Sequence, residues 1–174
     1  DPPLHARIDQ AIAAAHPGPV AEPADDAEFL RRVYLDLAGT IPSAATTRAF
    51  LVDPAADKRE RLVDRLLDSP EYARHMQQVF DVLLMERRAD VHVPAAQWQA
   101  YLRESFTENK PYDQLVREIL SADGLDPAQR PAAKFYLDRN GETNLLARDI
   151  SRIFLGMDLQ CAQCHKHPYD QSGP

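Results

Sequence analysis

Apolar residues in this chain recur at helical spacing, and capping residues, prolines and glycines cut the recurrence into short lengths. Phe29, Val33 and Leu37 fall every four residues, with Leu30 and Tyr34 beside them. That is one stripe of an amphipathic helix. Gly39 closes it, and Pro23 to Asp26 is a loop able to cap its start. Leu4 to His16 reads as a preceding helix, ended by Pro17-Gly18-Pro19. Pro42-Ser43 opens a short helix through Leu51, and Leu62, Val63, Leu66 and Leu67 mark another that starts near Asp57. Ser69-Pro70-Glu71 gives an N-cap, a proline at the first helical position and an acid. The helix after it is predicted to reach about Arg88, with Tyr72, Met76, Val79, Phe80, Leu83 and Leu84 as its apolar positions.

Pro94 opens a further helix with Trp98, Tyr101, Leu102 and Phe106 inward, and Asn109-Lys110-Pro111 breaks it. Leu115, Val116, Ile119 and Leu120 mark the next, ended at Asp123-Gly124. Pro127 to Pro131 is a turn region with Phe135, Tyr136 and Leu137 as its apolar tail. After the Asn140-Gly141 turn, Thr143 or Asn144 can cap a helix bearing Leu145, Leu146, Ile150, Ile153 and Phe154, which Gly156 ends or kinks. No period-two strand and no internal repeat stands out. The expected fold is all-α, with roughly eight helices in one compact domain over residues 1–174. The natural protein is expected to continue beyond residue 174, since Gln171-Ser172-Gly173-Pro174 reads as a linker.

Length and composition are ordinary for a globular domain: 174 residues, 44% hydrophobic and 27% charged. The formal net charge of −7 disfavours non-specific nucleic-acid binding, which needs a basic face. No apolar run reaches the roughly 18 residues of a membrane span. Glycine is scarce, no phosphate-cradling loop is present, and no hydrolase constellation or diagnostic carboxylate pair stands out.

The two cysteines stand together in Cys161-Ala162-Gln163-Cys164-His165. A secreted disulfide scaffold would use more cysteines at wider spacing. Cys-x-x-Cys-His is the attachment signature of a c-type haem. Two thiols one helical turn apart reach both porphyrin vinyl groups, and the adjacent imidazole points at the iron from the same side. The expectation is one covalent haem c, with Cys161 and Cys164 as thioethers and His165 as the proximal iron ligand, in an attachment segment spanning 157–170. Bacteria attach such haems outside the inner membrane, so a periplasmic or cell-surface location is expected. Other readings stay open. Cys161, Cys164, His165 and His167 are four donors for a metal such as zinc, though cramped for a tetrahedron. A local disulfide is a further alternative, while a thioredoxin-like dithiol expects a βαβ context that is absent.

The run Phe154-Leu155-Gly156-Met157-Asp158-Leu159-Gln160-Cys161-Ala162-Gln163-Cys164-His165-Lys166-His167-Pro168 closely resembles the signature of the planctomycete cytochrome c-like domains, a group of unknown function. Phe29 to Gly39 with Ile41-Pro42, and Asn109 to Leu120, are similar to that group too. The resemblance covers about residues 26–170. It implies a cell-surface or periplasmic setting, often beside other domains, and no established reaction. The acid that usually follows the histidine is Lys166 here.

Little chain follows His165, so a second axial ligand is expected from upstream or not at all. His75 and Met76 are the distal candidates, with Met85, His92 and Met157 behind them; core packing competes for Met76 and a plain surface role for His75. His167 is too close to His165 to reach the other face of the same haem. Arg148 and Arg152, one turn apart, are candidate propionate contacts, against an exposed face pairing with Asp149 or solvent. Arg31-Arg32 and Arg87-Arg88 read as solvated faces, and Trp98 and Tyr101 as core or porphyrin-packing aromatics. The expected function is electron transfer to a redox partner protein or a neighbouring domain, a redox module more than a stand-alone enzyme. The alternatives are a haem with an open position for small ligands or peroxide, and a structural module with a metal or disulfide site.

Overall fold

The computed structural model describes residues 2–16, 18 and 21–159. Among them are nine helices and no strand. The described residues are all-helical and form a single compact domain, with one more helix than the sequence suggests, because the apolar tail at Phe135 closes into a short helix of its own.

Helix α1 (Leu4–Ala15) buries no residue and turns Leu4, Ile8 and Ile12 to solvent. Helices α2 (Asp26–Ala38), α3 (Ala44–Val52) and α4 (Lys58–Leu67) form one layer around Leu30, Phe50, Leu62 and Leu66. The punctuation read from the sequence sets their ends. Asp25 accepts from the Glu28 amide at 2.8 Å and Ser43 from the Thr46 amide at 3.1 Å, each satisfying an orphan N–H of a first turn. Gly39 caps α2 with φ of +68°, a conformation that costs glycine little.

Helices α5 (Pro70–Met85), α6 (Ala95–Thr107), α7 (Tyr112–Ser121), α8 (Lys134–Leu137) and α9 (Thr143–Phe154) enclose the larger core of Leu84, Met85, Trp98, Leu102, Leu115, Ile119 and Phe135. Helix α5 joins the two layers, since it packs on both α2 and α6.

Three expectations need correction here. Helix α5 stops at Met85 rather than near Arg88, because Glu86 and Arg87 turn left-handed (φ +50° and +58°). Its inward face runs through Ala73, Gln77 and Leu84, so Val79 and Leu83 lie exposed one step around the helix. The N-cap of α9 is Glu142, and Thr143 already lies within the helix.

Candidate functional site

Cys161, Cys164, His165 and His167 lie outside the described residues, as do Lys166 and Pro168. The last described helix before them is α9. Helix α9 carries Asp149, fully buried, at its centre. Arg139 donates to it from Nε at 2.7 Å, and Arg148 from its own Nε at 2.8 Å. Arg139 is also fully buried; it donates to the carbonyls of Leu84 (2.7 Å) and Phe135 (2.8 Å), and its guanidinium lies 4.0 Å from the Phe135 ring centroid. One side chain therefore ties the end of α5, the short α8 and the middle of α9. Burial drives the Asp149 carboxyl up, yet the bonds from Arg139 and Arg148 outweigh it and hold it below the ordinary aspartate value. The helix ends where Met157 N donates to Ser151 O at 2.9 Å across Gly156, whose φ is +64°. Met157 itself is exposed.

The candidate propionate contacts already have partners. Arg148 binds Asp149, and Arg152 pairs with Glu86. Arg88 is not a solvated arginine as expected, because it reaches Asp149 Oδ2 at 3.4 Å and Glu86 at 3.2 Å. Its Nε is buried without an acceptor among the described residues. Arg31 and Arg32 do lie on an exposed face, paired with Glu28.

The candidate distal ligands are dispersed. His75 packs its imidazole over Gly39, so closely that a Cβ at position 39 would collide with it. Met76 is half-buried on α5. Met85 is buried, with its sulfur 3.8 Å from Arg139 Nη1. His92 shares a hydrogen bond with Asn140 at 3.0 Å, and its amide donates to Asp138. Trp98 is a core residue: its indole N–H donates to Asp81 at 3.0 Å and its ring stacks on Tyr101.

A second buried ion group has no precedent in the sequence reading. Lys134 is almost fully buried; it donates to Asp138, to Asp90 at 2.9 Å and to the carbonyl of Val93 at 2.6 Å. It fixes the loop before α6 to α8, and the i,i+4 spacing of Lys134 and Asp138 is the one local sign of it. No cluster of three His, Cys, Asp or Glu side chains able to hold a metal occurs among the described residues. No helix among them is long and apolar enough to cross a membrane.

Residues 5–173 match the PSCyt2 family, a protein of unknown function (DUF1549). The chain belongs to this family. The PSCyt2 match takes in the whole helical scaffold together with the Cys161–His165 motif. Neither a curated protein nor a solved structure matches the chain.

Proposed function

We propose that this chain is a c-type haem module that carries one covalent haem and passes single electrons, outside the cytoplasm, to a partner protein or a neighbouring domain. The observation that carries the reading is Cys161-x-x-Cys164-His165 in a chain with no other cysteine. The donor set suits the group. Two thiols supply thioethers to the vinyl carbons, and a neutral imidazole is a strong iron donor at neutral pH. Bound there, the haem supplies a one-electron couple between ferric and ferrous iron.

The protein's own contribution is support. Arg139 and Asp149 hold α9, the last described helix before the motif, against α5 and α8.

A second reading, a haem with an open sixth position, draws support from the placement of the upstream donors. His75 sits over Gly39, Met85 is buried beside Arg139, and His92 bonds Asn140, which leaves half-buried Met76 and exposed Met157 among the named donors. The test is a pyridine haemochrome spectrum of protein made with a cytochrome c maturation system. The expected spectrum is that of a doubly thioether-linked haem, abolished in the Cys161→Ser, Cys164→Ser double variant. A spectrum without haem, from a host that matures other c-type cytochromes, contradicts the reading.

A further inference from the structure

We infer that the porphyrin rests in the apolar groove between the outer face of α7 and the end of α9, with the far side of its iron against Val116 and Leu120. The inference rests on the haem reading above. The groove has a volume of about 440 Å³, and its wall includes Tyr112, Val116, Leu120 and Phe154. That volume lies in the range of small-molecule sites, and the wall is mostly apolar, with Asp113, Arg117 and Ser121 as its polar members. Tyr112, Val116 and Leu120 are spaced four apart, so they form one strip along α7 about 12 Å long. A flat macrocycle of four pyrrole rings needs a strip of that scale.

Chain continuity names the occupant. Phe154 belongs to the groove wall, and Cys161 follows it by seven residues. Seven residues span at most about 25 Å. A ring held on Cys161 and Cys164 is thus tethered within reach of the groove. Phe154 is fixed there by an edge contact with Phe135, centroids 5.8 Å apart.

Charge is placed to match. Arg117 stands at the rim, in an exposed pair with Asp113 at 3.3 Å. An exposed pair of this kind is weak, so the guanidinium is free to exchange Asp113 for a propionate. Arg148 and Arg152 serve a different surface. At about 100° per residue, Phe154 projects nearly opposite to Arg152 on α9. Both of those arginines are also already paired with carboxylates of the α5–α9 junction.

The groove wall offers the iron no imidazole and no thioether among the described residues. A haem seated against this wall would meet no donor from it, so its ferrous iron would be open to carbon monoxide. The experiment uses the full chain matured with haem, with Val116→Met, Leu120→Met and Val116→Glu as variants. Intact mass reports attachment, and the ferrous spectrum with and without carbon monoxide reports the far side of the iron. The wild type binds carbon monoxide. At least one methionine variant turns low-spin and loses apparent carbon monoxide affinity on the order of tenfold, since its iron is only fractionally free. Val116→Glu keeps its haem and shifts the ferrous absorption. Helical circular dichroism identifies a variant that has not folded, and the conservative Leu120→Met then carries the comparison. Haem attached in every protein with identical spectra and carbon monoxide binding overturns the groove assignment alone. A wild type that refuses carbon monoxide also overturns it. A wild type without added haem mass overturns the haem reading and the groove with it.

Discussion

Arg139 donates from Nε to Asp149 Oδ2 at 2.7 Å, and neither side chain is exposed to solvent. The pair joins residues ten apart in sequence on either side of the turn at Asn140-Gly141. It sets the position of α9. Removing one partner strands the other charge in the core.

Asp149→Asn keeps the shape and deletes the charge that faces Arg139 and Arg148. It is expected to cost about 3–5 kcal/mol of stability in urea unfolding. Arg139→Met combined with Asp149→Leu is expected to cost less than the sum of the two single substitutions, because no buried charge is left alone. Strict additivity would show that the pair does not act as a unit.

Acid should destabilise the domain through the same groups. Burial pushes Asp149 up and the bonds from Arg139 and Arg148 more than reverse it; burial likewise pushes Asp138 up and the bond from Lys134 more than reverses it. Both folded carboxyls therefore titrate below the unfolded value. Their contribution is present above the unfolded aspartate value of about 3.9 and disappears as pH falls through the lower folded values. The urea midpoint is expected to hold from about pH 7 to about pH 5 and to fall steeply below about pH 4. A midpoint that is flat down to about pH 2.5 would contradict this.

Gly39→Ala tests the contact between α2 and α5. Position 39 has φ of +68°, and an added Cβ would strike the His75 ring. The left-handed backbone alone costs about 1 kcal/mol. The clash adds to it, so the total should exceed that value in thermal unfolding. His75→Ala in the same chain should recover the clash and leave the backbone part. An equal loss with and without His75 would show that the ring yields freely.

Ser69 caps α5, accepting from the Tyr72 amide at 3.2 Å. Ser69→Ala is expected to cost about 1 kcal/mol, and Ser69→Asp to retain most of the stability. Equal losses in the two variants would remove the cap from the account.

Much of the fold is legible in the sequence where signals are local. Asp25 and Gly39 bracket α2, and Ser69-Pro70 opens α5, as capping chemistry requires. The register of α5 was less legible, because its inward face includes the polar Gln77 while Val79 and Leu83 point outward. Hydrophobic periodicity reports apolar positions, not the face a neighbour covers. Arg139 gave no sign of burial and Lys134 only its i,i+4 spacing with Asp138, since charged residues are almost always outside unless paired, and the partners Asp149, Asp90 and the carbonyls of Leu84 and Val93 come from other parts of the chain. The groove was hidden for a related reason. Val116 and Leu120 read as part of one apolar stripe with Leu115 and Ile119, yet only the latter two are fully buried. The Cys161–His165 motif lies outside the described residues, and its proposed chemistry rests on spacing within five consecutive residues.

The most direct test of the central claim is the intact mass of the chain under denaturing conditions, from protein matured outside the cytoplasm. The account predicts the polypeptide mass plus one haem, retained after acid–acetone extraction because the thioethers to Cys161 and Cys164 are covalent. A mass equal to the unmodified polypeptide, or lower by only the two hydrogens of a Cys161–Cys164 disulfide, would contradict it.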